Sequence, residues 1–231
     1  IHGEKYRHRR IERKPMLFMV LALIAILIGG MVEMIPTFTM SSNVPSIPSV
    51  KPYTALEIQG RDLYIREGCV NCHSQTIRPF RSETARYGEY SKAGEFVYDH
   101  PFLWGSKRTG PDLPRIGGKY PHKWHFDHLL DPTITSPGSI MPAYPWLIEQ
   151  EIDYSDLSKK LAVMKTLGVP YTDQQIQQAL PEAKKQAEEI AQALRANQVE
   201  VDSDREIIAM IAYLQRLGTD IKVNTSPTTD K

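Results

Sequence analysis

Cysteine is scarce in this 231-residue chain, which has only Cys69 and Cys72. A pair this close in sequence excludes a scaffold held by several disulfides, so the two thiols are expected to act together. The chain also lacks an excess of charge of one sign, with 28 basic against 27 acidic residues, which argues against nucleic-acid binding. It shows no internal repeat. Because 41% of its residues are hydrophobic, the composition predicts a folded protein of one or two domains.

Charge and proline are both missing from residues 16–32, which read MLFMVLALIAILIGGMV. About twenty apolar residues are needed to cross roughly 30 Å of hydrocarbon, so residues 15–35 are predicted to form a transmembrane helix. A cleaved signal peptide is a weaker alternative, because it has a shorter apolar stretch and ends in a small-residue cleavage site. A buried core helix is rarely apolar on every face over this length.

Basic residues crowd residues 1–14, whereas residues 35–50 carry no charge. By the positive-inside rule, this asymmetry places the N-terminus in the cytoplasm and the rest of the chain outside it. Prolines and serines in residues 36–53 predict an extended tether. The chain begins with Ile1, which is compatible with processing, truncation or fusion to another polypeptide. The basic residues are Lys5, Arg7, Arg9, Arg10, Arg13 and Lys14.

Three helices are predicted in the rest of the chain. Thr54 and Glu57 fit a capping box that begins a helix ending near Glu67. A second capping box, Ser203 to Glu206, precedes an apolar repeat that ends at Gly218. Between them, an Ala-, Glu- and Lys-rich segment predicts an exposed surface helix over residues 182–196, because its apolar stripe is thin. Residues 74–145 are rich in Gly, Pro and aromatic residues and predict loops that wrap a cofactor.

The two cysteines belong to Cys69-Val-Asn-Cys72-His73, the attachment signature of c-type haem. Its spacing lets two thiols add across the two haem vinyl groups while His73 reaches the iron from one side. A thioredoxin-like redox pair would follow a strand, and none is predicted upstream. A structural zinc site would need two further ligands, for which only His122, His125 and His128 could be proposed. The motif therefore predicts one covalently attached haem c with His73 as an iron ligand.

The second axial ligand of the iron is predicted to be Met141, which lies in an irregular, proline-bounded loop. A thioether favours the ferrous state and raises the reduction potential, which suits an electron carrier. Met164 and Met210 are weaker candidates, and Met210 falls in the apolar stripe of the last helix. His125 and His128 are expected to be surface or hydrogen-bonded residues.

Several longer strings resemble the mono-haem subunit of cbb3-type cytochrome c oxidases. The resemblance covers roughly residues 16–146 and the final helix, whereas residues 147–201 are less recognisable and are interpreted as a probable insertion. Gly110-Pro111-Asp112-Leu113 is also similar to the Gly-Pro-x-Leu turn of class I cytochromes c. The other matching strings are Cys69 to Gln75, Arg78-Pro79, Arg86 to Gly88, Gly94-Glu95, Trp104 to Leu113 and Ser139 to Tyr144.

The resemblance implies a mainly α fold, with a class I cytochrome c-like domain over residues 54–220 and a tail over residues 221–231. It implies that the Pro111 carbonyl accepts a hydrogen bond from His73. It also implies an electron relay, from a soluble or membrane cytochrome donor to haem b of a large, proton-pumping catalytic subunit, with a further cytochrome c subunit nearby. The chain would then lie in a bacterial inner membrane with its haem domain in the periplasm, and would do no chemistry on oxygen. Six cations could pair with haem propionates or with a partner: Arg78, Arg81, Arg86, Lys107, Arg108 and Arg115.

Three other functions are considered. The cytochrome c subunit of a nitric oxide reductase also has one anchor and one haem, but the string from Trp104 to Leu113 argues against it. A haem-based gas sensor would leave one iron position open. A pure assembly scaffold would have no use for a fully ligated haem.

Overall fold

The chain divides by its internal contacts into two units, residues 1–45 and 46–231. The computed structural model describes residues 9–40 and 46–222. Lys5 and Arg7 of the predicted basic segment, residues 41–45 of the tether and the tail from residue 223 lie outside the described residues.

The first unit consists of helices α1 (Arg9–Glu12) and α2 (Pro15–Thr39). Pro15 occupies the first turn of α2, where a missing backbone N–H costs nothing. Residues 15–37 form a helix long and apolar enough to cross a membrane, and no residue in its most apolar window is buried. This agrees with the predicted span. The helix continues beyond residue 35, however, so that Pro36 lies inside it rather than in the tether.

The regular elements of the second unit within residues 46–222 are all helices, joined by turns and loops. The exception is one isolated bridge between Glu151 and Arg205. The prediction of a mainly α fold is therefore confirmed. Short 3₁₀ turns occur at Cys69–Asn71 and Ala93–Phe96. The helices are α3 (Ala55–Arg66), α4 (Arg81–Tyr87), α5 (His122–Leu130), α6 (Pro132–Thr135), α7 (Trp146–Glu149), α8 (Leu157–Thr166), α9 (Asp173–Gln177), α10 (Ala179–Arg195), α11 (Glu206–Arg216) and α12 (Thr219–Lys222).

Helices α3 and α11 pack closely and form the centre of the second unit. At Gly60 the two backbones approach so tightly that a Cβ atom would collide with the Ala209 carbonyl. Tyr64 and Tyr213 lie in the same interface, with their ring centroids 5.4 Å apart. The Tyr213 ring also lies 5.8 Å from the ring of Tyr53. The side chains of Tyr64 and Tyr213 are both fully buried. Close backbone contact at a glycine and a pair of buried, mutually tilted rings hold α3 and α11 in one arrangement.

The two predicted capping boxes have different outcomes. Thr54 accepts from the Glu57 N–H at 3.2 Å and its own N–H donates to Glu57, as predicted. The predicted box at the start of α11 is wrong, because Arg205 is the N-cap and no side chain caps the helix. The Glu206 carboxylate instead binds Arg66 of α3, with Nη1 to Oε1 at 2.7 Å, so an ion pair between helices replaces the local cap.

Helix α10 has one exposed face, as predicted for a surface helix, but its apolar stripe is buried in the core of the second unit. It begins at Ala179 rather than at residue 182, and it packs against α3 and α11. Alanines make a weak hydrophobic stripe, but their short side chains let two helices approach closely. The side chains that α10 buries are Ala179, Ala183, Ala187, Ile190, Ala191 and Leu194.

The rest of the segment 147–201 also belongs to this core. Leu157 and Leu161 of α8 and the following Val169 are almost fully buried. The Tyr171 hydroxyl donates to the Tyr53 carbonyl at 2.6 Å, which ties the segment to the residues preceding α3. Residues 147–201 are thus part of the hydrophobic core and not an addition on the domain surface.

Candidate haem-binding site

The Cys-x-x-Cys-His motif follows directly on the end of α3. Gly68 has φ +72°, a left-handed conformation that glycine adopts without steric cost, and it ends the helix. The chain then forms a 3₁₀ turn in which the N–H groups of Cys72 and His73 both donate to the Cys69 carbonyl, at 3.2 and 2.9 Å. Cys69 is buried and Cys72 is exposed. One turn therefore carries both thiols and the imidazole.

The thiol chemistry of this turn disfavours a redox-active cysteine pair. Burial raises the pKa of Cys69 to about 12, and the charges of Glu67 and Cys72 push it in the same direction. Redox-active Cys-x-x-Cys pairs need a lowered thiol pKa. Within residues 9–40 and 46–222, no three His, Cys, Asp or Glu side chains are grouped so that they could hold a metal ion.

His73 is held from the side by the turn that contains Gly110 and Pro111. Its Nδ1 donates to the Pro111 carbonyl at 2.8 Å, and the Gly110 N–H donates to the Cys72 carbonyl at 2.9 Å. A Cβ atom on Gly110 would collide with the imidazole ring, so only glycine fits there. With Nδ1 donating, the lone pair of the neutral imidazole is on Nε2, where an iron ligand needs it.

The charge state of His73 agrees with this role. Burial lowers the pKa of His73, while the Pro111 carbonyl and the Asp112 carboxylate oppose that shift. The ring is therefore neutral near pH 7. On the other side of the motif, the Tyr64 hydroxyl of α3 donates to the His73 carbonyl at 3.1 Å, which fixes the ligand segment to the core.

Asp112 is a component of the site that sequence reasoning missed, although it stands next to Pro111 in the matched string. Its side chain is fully buried and pairs with Arg108, with Nε 3.2 Å from Oδ1. Arg108 also donates to the Thr76 carbonyl at 2.9 Å. A buried carboxylate close enough to act on His73 adds a negative charge to the surroundings of the ligand.

The six cations near the motif fall into two groups. Arg78, Arg108 and Arg115 form ion pairs with Glu83, Asp112 and Glu95. In the part of the chain that the structure describes, no ion pair involves the other three, which are Arg81, Arg86 and Lys107.

Met141 lies in the loop between α6 and α7, and its side chain is half-buried. The loop is tied to the motif through the residues that follow it. Trp146 Nε1 donates to the Glu67 carboxylate at 3.0 Å. Burial raises the pKa of Tyr144, and the nearby Cys69 and Cys72 contribute to that rise. The loop thus lies near the cysteines, and iron ligation by Met141 remains a prediction. Met210 is buried in the core, where it fills space in α11.

His125 differs from the expectation of a surface or hydrogen-bonded group, whereas His128 meets it, with Nδ1 2.6 Å from the Thr135 hydroxyl oxygen. His125 is only 2% exposed, and its Nε2 has no hydrogen-bond partner in the described structure. Its neighbour Trp124 stacks between Tyr120 and His128, at centroid distances of 4.0 and 4.7 Å. The spacing of the histidines in the sequence does not indicate that His125 points inward. Its burial depends on the packing of α5 against α11 and α10, which are distant in sequence.

The residues present fit a haem. Two thiols and an oriented imidazole lie in one turn, and Gly110 leaves room for the imidazole ring of His73. A thioether lies in a loop that is hydrogen-bonded to the residue at the end of α3, just before this turn. The chain thus has a long apolar helix and an all-α domain in which α3 and α11 pack beside the turn that carries the thiols and the imidazole. This is the organisation of a membrane-anchored cytochrome c.

The comparison with known families makes the identification specific. The family model described as "Cytochrome C oxidase, mono-heme subunit/FixO" matches residues 8–221. The chain therefore belongs to this family, the mono-haem subunits of cbb3-type oxidases, and the resemblance first seen over residues 16–146 extends through residues 147–201 as well. Membership implies one haem and a place in an oxidoreductase complex with other subunits. No curated protein matches the chain.

Proposed function

We propose that this chain holds one haem c through thioether bonds to Cys69 and Cys72, with His73 and Met141 as axial ligands, and relays single electrons within a cbb3-type oxidase. The observation that carries the proposal is the His73 imidazole, fixed by Pro111 at 2.8 Å with Nε2 left free for iron. The bound haem supplies one-electron redox chemistry, from a cytochrome donor to haem b of the catalytic subunit.

The protein's own contribution is positioning. The Pro111 carbonyl orients the His73 ring and makes its imidazole a stronger ligand, because a hydrogen bond accepted from Nδ1–H raises the basicity of Nε2. Tyr64 holds the His73 backbone against α3. None of these residues has a role in oxygen chemistry, so the chain is a non-catalytic subunit whose partners are a haem-copper subunit, a further cytochrome c subunit and the donor.

The anchor is the second part of the proposal. Helix α2 would span a bacterial inner membrane once, with the basic N-terminal segment in the cytoplasm and the haem domain in the periplasm. A fixed attachment keeps the relay site at a constant distance from its acceptor, which a diffusing carrier cannot do.

Covalent attachment is tested on the purified oxidase complex under denaturing conditions. Haem should stay with this chain during denaturing electrophoresis, and a Cys69→Ala/Cys72→Ala variant should lose it. Haem that separates from the intact chain would contradict thioether attachment. Copper in the complex and oxygen consumption are expected, whereas nitric oxide turnover without copper would favour the nitric oxide reductase alternative.

Axial ligation is tested with Met141→Ala. The variant should keep its covalent haem, lose the methionine-ligand absorption band and show a lower reduction potential, because a thioether favours the ferrous state. Met164→Ala, which truncates a half-buried methionine of α8, is the control and should keep both properties. Carbon monoxide should leave the ferrous absorption bands of the haem c on this chain unchanged in the unaltered protein. A change would support a gas-binding site instead.

A further inference from the structure

Residues 78–90, here called the outer loop, are ordered without contributing to the core. None of these residues is buried, and the one helix among them, α4, has no buried side chain. Other loops of the domain deliver side chains inward, such as Ile77 just before the outer loop, which is 1% exposed. Because the outer loop buries no side chain in its own domain, its exposed side chains are available to a partner.

The base of the outer loop is closed by hydrogen bonds. The Ser91 N–H donates to the Ile77 carbonyl and the Ile77 N–H donates to the Ser91 hydroxyl, both at 2.9 Å. Arg115 reaches across to the carbonyls of Glu89 and Tyr90, at 3.0 and 3.3 Å, while its other nitrogen binds Glu95. The loop is thus presented in a fixed shape, which reduces the entropy lost on binding.

The charges of the outer loop are unbalanced towards positive. Glu83 is paired with Arg78, and Glu89 is paired with Lys92 at 2.6 Å. Arg81 and Arg86 are exposed, and neither has an ion-pair partner among residues 9–40 and 46–222. The negative charges are therefore satisfied within the chain, and the two remaining charges are both guanidinium groups.

The outer loop also exposes large aromatic side chains. Phe80 is 55% and Tyr90 is 42% exposed. The guanidinium of Arg86 lies 5.1 Å from the ring of Tyr87, so charge and aromatic surface are mixed. Arginine and aromatic residues are enriched at protein interfaces and dominate their binding energy.

We propose that the outer loop is a docking surface for an acidic patch on another subunit of the same oxidase complex, bound through Arg81 and Arg86. This inference rests on the proposed function, because it needs the complex. A permanent subunit is favoured over a transient electron donor, since lasting interfaces bury more apolar surface and Phe80 and Tyr90 supply it.

The test uses the full oxidase complex, purified through a tag on this chain. In an Arg81→Glu/Arg86→Glu variant, the amount of other subunits recovered per covalent haem of this chain should fall at least about tenfold at raised ionic strength. The matched control is Lys184→Glu/Lys185→Glu, which reverses two exposed cations on α10 and should leave the recovery unchanged. Arg81→Gln/Arg86→Gln should give a smaller loss in the same direction.

Three outcomes would overturn the docking surface. Recovery of the other subunits could stay unchanged in both arginine variants, or fall equally in the lysine control. A complex that stays intact while only the rate of reduction by the donor falls would assign the outer loop to the donor. Haem content is read from the same samples, so absence of haem from the unaltered chain would contradict the proposed function and is distinguished from a failure of docking.

Discussion

At the scale of single residues, Asp112 shows how a buried charge can adjust a site it does not enter. Its side chain is fully buried, pairs with Arg108 and acts electrostatically on His73. A negative charge near a haem iron stabilises the ferric form. Asp112→Asn removes that negative charge and leaves the positive charge of Arg108 uncompensated. Both changes favour the ferrous form and so raise the reduction potential.

We therefore expect Asp112→Asn to raise the reduction potential, on the order of tens of millivolts, in a redox titration of the purified complex. Asp173→Asn, which alters an exposed carboxylate in α9, should leave the potential where it was. A lowered or unchanged potential in the Asp112 variant would show that its charge has no influence on the haem.

His125 gives a prediction on pH dependence. Burial is the main cause that lowers its pKa from 6.5 to about 4, and the charges of His122 and His128 add to this. The unfolded chain therefore takes up a proton below pH 6.5 that the folded chain refuses until about pH 4. Stability is fully present above pH 6.5 and falls as the pH drops through this window, by at most about 3 kcal/mol.

The measurement is the free energy of unfolding against pH, for the unaltered chain and for His125→Leu. The variant should lose the part of the slope between pH 6.5 and 4 that His125 contributes. Because buried carboxylates titrate in both proteins, only the difference between the two curves reports His125. Parallel curves would show that His125 does not control the acid sensitivity.

At the scale of secondary-structure elements, α3 and α10 illustrate what pattern reasoning recovers. The capping box at Thr54 is local, because its hydrogen bonds join residues three positions apart, and it was predicted correctly. The depth at which the apolar stripe of α10 is buried depends on α3 and α11, which are distant in sequence, so the pattern predicted a surface helix but not its close packing.

A substitution in α10 tests this burial. Ala191 is completely buried, so Ala191→Leu should overpack the core around α10 and cost about 1–3 kcal/mol of unfolding free energy. Glu189→Leu introduces the same side chain on the exposed face and should change stability by less than about 0.5 kcal/mol. Urea unfolding of both variants gives the comparison. Equal effects would mean that α10 is not part of the core.

At the scale of the whole molecule, the long apolar helix α2 fits a membrane anchor. The unaltered chain should resist alkaline extraction from membranes. Ile24→Arg/Leu27→Arg places two charges in the middle of α2, each costing about 2.5–3.5 kcal/mol of insertion free energy, and should move the chain into the extract. Ile24→Val/Leu27→Val is the control. Release of the unaltered chain by alkali would contradict the membrane anchor.

The sequence by itself determined the features whose physics is local or compositional. A run of apolar residues predicts a long apolar helix whatever follows it, and that helix is present. The spacing of Cys69, Cys72 and His73 defines one turn because backbone geometry at this range needs no distant partner. Recognisable strings around the motif were enough to indicate the family that the comparison then showed.

Only the tertiary structure decided the features that depend on contacts between distant segments. It made Asp112 a buried charge, turned His125 inward and replaced the predicted cap at Ser203 by the Arg66–Glu206 ion pair. It also left Arg81 and Arg86 without an ion pair among residues 9–40 and 46–222. These outcomes depend on which groups lie side by side after folding. Side-chain type and spacing do not predict which groups become neighbours, because burial and pairing depend on how distant segments pack and not on the local sequence.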